Sequence, residues 1–102
     1  MIHVLATIRV DPQRRGEFLK AFSQLVPVVL QEQGCLEYGA AVDEPTDIDG
    51  QVLAGQDAVV VVEKWESTAA LKAHLAAPHM AAFREANASI LRGLSLQVLS
   101  PA

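Results

Sequence analysis

Residues 2–10 alternate: Ile2, Val4, Ala6, Ile8 and Val10 point one way, and His3, Leu5, Thr7 and Arg9 point the other. A period of two predicts a β-strand with one fully apolar face. Asp11 and Pro12 then read as an N-cap and a first helical residue. Phe18, Phe22, Leu25 and Val29 follow at helical spacing, up to the stop signal Gly34. Pro27 lies inside this helix and its ring meets the carbonyl of Ser23, which predicts a kink. Residues 35–42, CLEYGAAV, form a second strand, and the acidic, glycine-bearing residues 43–57 a long loop. Residues 58–65, AVVVVEKW, are a β-branched third strand. Ser67 or Thr68 caps a second helix, and Pro78 interrupts it and opens another short one. That last helix is expected to carry Met80, Phe83, Asn87 and Ile90 and to stop at Gly93, leaving 94–99, LSLQVL, as the fourth strand. The sum is an α+β chain of order β-α-β-β-α-β. It predicts a ferredoxin-like subunit whose antiparallel sheet carries helices on one face, as a single domain over residues 1–102.

The third strand adds a constraint. Ala58, Val60 and Val62 alternate with Val59 and Val61, so both of its faces are apolar. Such a strand is buried on both sides. Helices cover one side only, so the other is expected to pack against a second copy, sheet to sheet, in a two-fold dimer. Ile8 and Val60 are assigned to that partner face.

Composition narrows the function classes. Hydrophobic residues make up 51% of 102 and aromatics only 5%, which is more apolar surface than a small chain easily hides and again favours an oligomer. The net charge is −4 and the basic residues are scattered, so nothing marks a nucleic-acid or membrane surface. One cysteine, Cys35, excludes an internal disulfide framework and fits a reducing compartment. No segment has the length of a membrane span, and the apolar start lacks a basic flank and cleavage site, so a cytoplasmic protein is expected. Cys35 reads as a small apolar packing group, and DIDG at 47–50 lacks the ligand spacing of a calcium loop.

Three stretches, EQGCLEYG, VVEKWES and ALKAHLAAPHMAAF, together resemble the antibiotic biosynthesis monooxygenase family, in its quinol monooxygenase-like branch. The similarity runs from IHVLATIRV to LQVLSPA. It implies a dimeric α+β barrel with a substrate pocket between sheet and helices in each subunit. It also implies oxidation of a hydroquinone or phenol by molecular oxygen with no cofactor and no metal. The haem-degrading relatives are less similar: where they carry a strand-one asparagine and a last-helix histidine, this chain has Thr7 and Arg84. Where some monooxygenases carry an asparagine before the tryptophan, Val61 stands here. Fold alone leaves other chemistry open. The alternatives are an isomerase or tautomerase of a small polar metabolite, and a non-catalytic dimeric ligand-binding module.

The resemblance places Trp65 against the substrate, with Glu63 on the same strand face as a base or a histidine partner. Thr7, Tyr38 and Phe83 complete the expected substrate-binding set, and Arg84 is a candidate cation for a phenolate or a developing peroxide. His74 and His79 are the candidate bases. Five residues at about 100° each set them roughly 140° apart on an unbroken helix. That is not the spacing of two zinc ligands on one helical face, so a metal pair is rejected and different roles are expected. His79 follows Pro78 in a first helical turn, where the dipole disfavours a positive charge and favours a neutral, proton-accepting ring.

Overall fold

The computed structural model describes residues 1–102. The elements are β1 (Ile2–Val10), a 3-10 turn at Pro12–Arg14, α1 (Arg15–Leu30), β2 (Cys35–Ala41), β3 (Ala58–Trp65), α2 (Thr68–Leu75), α3 (Pro78–Ala86) and β4 (Leu91–Leu99). All strand pairings are antiparallel and the sheet order is β2-β3-β1-β4. This is the expected ferredoxin-like layout. No helix is long and apolar enough to cross a membrane.

Local signals explain most boundaries. The Asp11 carboxylate accepts the Gln13 N–H at 3.0 Å and opens the first turn. The α1 helix runs on through Pro27 and buries Phe18, Phe22, Leu25 and Val29, one apolar stripe, against the sheet. It ends in a turn where Gly34 takes a positive φ of 84°. A Cβ on Gly34 would sit 2.7 Å from the Ala70 Cβ, so the site requires glycine for both conformation and space. Ser67 caps α2 by accepting the Ala70 N–H at 3.1 Å.

The strand register sorts the two sheet faces. Ala6 pairs with Val61, and Val4 with Glu63. Ile2, Val4, Ala6, Val59, Val61 and Trp65 are buried in the core beneath the helices. Thr7 pairs with Val60, and Leu5 with Val62, on the opposite, open face. Two expectations are therefore corrected. Ile8 packs on the helix side rather than the partner side, and Thr7 points away from the helices. Val60 does lie on the open face.

The last helix also ends earlier than its apolar spacing suggests. Asn87 caps it: both its backbone N–H and its side-chain Nδ2 donate to the Phe83 carbonyl, at 3.1 and 2.8 Å. A side chain that bonds nearby backbone in this way competes with helix continuation. Ile90 then turns into the core, and its carbonyl accepts the Asp11 N–H at 2.9 Å. The last strand starts at Leu91 opposite Val10, while Gly93 pairs with Arg9. Arg92 is the extra residue of a β-bulge, and Gly93 is a strand residue rather than a helix stop.

The 43–57 connection is braced on its own chain. The Asp43 carboxylate accepts the N–H groups of Ala54 and Gly55, each at 2.8 Å. Those two bonds hold its carboxyl below the usual range. Arg9 reaches from the open face to the Ala54 carbonyl at 2.6 Å and to Asp57 at 3.0 Å.

Candidate active site

A cavity of about 300 Å³ lies between the helix-side face of the sheet and the three helices. Ala6, Val61, Phe18, Phe22 and Met80 form its buried floor and walls. Gly93 and Leu94 of β4, with Arg84 and Arg92, are exposed and mark its mouth. Phe83 stands edge-on to Phe18 and Phe22, at centroid distances of 5.7 and 6.0 Å, and Tyr38 stacks on Phe22 at 5.5 Å. An apolar space of about 150 Å³ admits benzene, so this one has room for about two fused rings. Apolar walls with few polar groups are the usual make-up of a small-molecule site.

Three buried polar side chains line this apolar space: Tyr38, Glu63 and His74. Tyr38 and Glu63 face each other across the β2–β3 pairing. The Glu63 Oε1 accepts the Trp65 indole N–H at 2.8 Å. Burial raises the Glu63 carboxyl to about 7, opposed by the Trp65 bond and reinforced by the nearby Glu32 charge. Near neutrality this group can therefore both give and take a proton. Burial, followed by the charges of Glu63 and Glu32, also pushes the Tyr38 phenol up, so it stays a hydroxyl.

His74 is 2% exposed and is wedged between Trp65 and Tyr38, with ring centroids at 4.7 and 5.3 Å. Its Nδ1 lies 2.9 Å from the Glu32 Oε2. A carboxylate oxygen accepts, so Nδ1 carries the hydrogen and, in the neutral ring, Nε2 keeps its lone pair. Nε2 has no hydrogen-bond partner in the protein, yet no sealed side-chain nitrogen or oxygen is left unpartnered. It therefore opens onto the space that His74 lines. The His79 Nε2 donates to the same Glu32 Oε2 at 2.7 Å. Pro78 makes this convergence possible: it ends one helix and starts the next, so the two rings meet one carboxylate despite their separation along the chain. Glu32 itself sits in the α1–β2 turn that Gly34 shapes.

The antibiotic biosynthesis monooxygenase model matches residues 1–86. The chain belongs to the antibiotic biosynthesis monooxygenase family. It is 39% identical over 103 residues to "Probable quinol monooxygenase YgiN" of Escherichia coli strain K12, covering 99% of this chain and 98% of that protein. Solved structures share the fold. PA3566 of Pseudomonas aeruginosa superposes with a TM-score of 0.79 at 23% identity, over 99% of this chain and 93% of that one. Rv0793 of Mycobacterium tuberculosis superposes at 0.76 with 22% identity, over 99% and 94%.

On this monooxygenase-family fold the expected site residues separate into groups. Tyr38, Glu63, His74 and Phe83 line the cavity together, and Arg84 stands at its mouth. Trp65 does not line it. Fully buried behind His74, it holds both that ring and the Glu63 carboxyl in place. Thr7 and His3 lie on the open sheet face, out of reach of the cavity, because strand alternation turns them away from Ala6 and Val4. His79 is half-buried and reaches Glu32 rather than the cavity. No residue of the 43–57 loop lines the cavity, so the loop does not close its mouth. Two residues were missed. Glu32 stands first in the EQGCLEYG stretch, and that was its available signal. Arg92 reaches the mouth through the β4 bulge, which nothing in the sequence announced.

Proposed function

We propose that this monooxygenase-family chain oxidises an aromatic hydroquinone with molecular oxygen. The observation that carries the reading is His74: a buried histidine, held through Nδ1 by Glu32, that presents an unpartnered Nε2 to an apolar aromatic cavity beside Glu63. The ring has room to lie in the cavity that Phe83, Phe22 and Tyr38 line. The His74 Nε2 takes the phenolic proton, and the resulting electron-rich anion reacts with oxygen at a ring carbon. Glu63 in its protonated form then donates to the departing oxygen as water is lost, and a base removes the ring proton. Atoms balance as hydroquinone plus O2 giving hydroxyquinone plus water. The substrate supplies the two electrons that reduce the second oxygen atom, so the reaction needs no further reductant, metal or flavin. The residues contribute orientation and proton transfer in a water-poor space.

The same reading takes the protein as a cytoplasmic homodimer joined through the open sheet face. Leu5, Val60 and Val62 stand in the middle of that face, Val62 being 38% exposed. The braced loop also exposes Ile48, Val52 and Leu53. Cys35 is a free thiol, in keeping with a reducing compartment.

The test is a naphthohydroquinone or benzohydroquinone panel under ¹⁸O2, with oxygen uptake and product mass measured together. One labelled oxygen in the quinone product supports the reading. Unlabelled quinone with hydrogen peroxide would make the chain a simple oxidase. Conversion of a substrate without oxygen uptake would favour the isomerase class, since Glu63 and His74 form an acid and a base facing one cavity.

A further inference from the structure

We infer that the aromatic substrate carries an anionic substituent, a carboxylate or a group of similar charge, and that Arg84 binds it at the cavity mouth. This deepens the hydroquinone reading and rests on it for the identity of the ring. The inner end of the cavity is already supplied with groups for hydroxyls: Tyr38, Glu63 and His74 are all buried there. The mouth has a different character. Two arginines, Arg84 and Arg92, line it, and no carboxylate does. Both stand out against a chain whose net charge is −4.

The two arginines are not equivalent. Arg92 faces Asp11 at 3.6 Å and gives its Nη1 to the carbonyls of Ser89 and Leu91, at 2.9 and 3.1 Å. Elsewhere Arg9 pairs with Asp57, and Arg14 with Glu17. Arg15 bonds the carbonyls of Gly55 and Ala58. Arg84, like Arg15, has no acidic partner, but where Arg15 is shared between two carbonyls at 3.3 Å, the single contact of Arg84 is a 3.4 Å bond to the Leu75 carbonyl, and of the two only Arg84 lines the cavity. A guanidinium presents planar, paired donors suited to a carboxylate. Its place on the last turn of α3 leaves those donors at the opening, while the ring would occupy the apolar interior. A neutral hydroquinone leaves this cation unused; an acid-bearing one fills the inner polar end and the mouth together.

The experiment uses unreactive probes of equal shape, 2-naphthoate and neutral 2-naphthamide, titrated calorimetrically into the full chain. Wild type is expected to bind the naphthoate about three- to tenfold more tightly, the range of a partly exposed ion pair with good geometry. Raising salt from roughly 50 to 500 mM should erase most of that preference. Arg84→Gln should bring the two ligands to one affinity, and Arg84→Lys should keep part of the difference. Equal affinities in wild type, a preference that survives Arg84→Gln, or binding of neither ligand would overturn the inference. Because the probes cannot be oxidised, the outcome is independent of oxygen chemistry. A preserved naphthoate preference with no oxygen uptake from any hydroquinone would sink the oxidation reading and leave the anion site standing.

Discussion

A buried histidine needs a partner for each nitrogen, and the way His74 meets that need decides what it can do. Glu32 fixes Nδ1 and so leaves Nε2 to the cavity. Glu32→Gln preserves the shape but removes the charge that holds two imidazole N–H groups. It should lower stability by about 1–3 kcal/mol, the usual cost of breaking a buried bond to a charged group, readable by urea unfolding. It should also lower oxygen uptake. Glu63 makes a second residue-scale prediction. Its carboxyl is raised to about 7 in the fold, against 4.5 in the unfolded chain. The native state therefore holds this proton more tightly, and the stabilisation is complete below 4.5 and lost as pH rises through 7. The difference in unfolding free energy between wild type and Glu63→Gln, followed across pH 4–8, should decline over that window in favour of the variant; a pH-independent difference would refute it. His74 and Glu63 were legible in the sequence as candidates. Glu32 was not assigned a role, since a glutamate at the end of a helix reads as solvated until the fold brings two rings to it.

The elements were legible where the local signals agree. Asp11–Pro12, Gly34, Ser67 and Pro78 each mark a boundary that the structure keeps, because capping and backbone restriction act within a few residues. The end of α3 was misread for the opposite reason. Met80, Phe83, Asn87 and Ile90 continue a helical spacing, but the helix ends at Ala86, and Ile90 is buried in the core from the turn beyond it, where its carbonyl accepts the Asp11 N–H. Strand one was misread in part because period two reveals that faces differ, not which one the helices cover. The register of Thr7 with Val60 settles it. The turn after α1 offers a test at this scale. Gly34→Ala places a side chain at a φ of 84° and a Cβ at 2.7 Å from Ala70. A loss of about 2 kcal/mol or more is expected from strain and overlap combined, measurable by thermal unfolding. Since the turn carries Glu32, activity should fall with it.

On the scale of the whole molecule, the sheet divides the labour. One face with its helices encloses the cavity; the other is left with apolar residues in its centre. The proposed dimer rests on that asymmetry, and sedimentation at micromolar concentration should give twice the chain mass. A carboxylate at the middle of the face, Val62→Glu, should shift the protein to monomer or unfold it. Val52→Glu, on the exposed loop, should weaken the dimer less. A stable monomer in wild type would contradict this arrangement. The chemistry on the enclosed face has a more direct measurement: oxygen uptake with a naphthohydroquinone, after chelator treatment, by wild type, His74→Gln and His79→Gln. With His74 as the base, kcat/KM of the folded His74→Gln protein should fall about 100- to 10,000-fold. His79→Gln, at a residue that hydrogen-bonds Glu32 and does not line the cavity, should fall far less, and the chelator should change nothing. Full turnover by His74→Gln, or activity abolished by the chelator, would contradict the account.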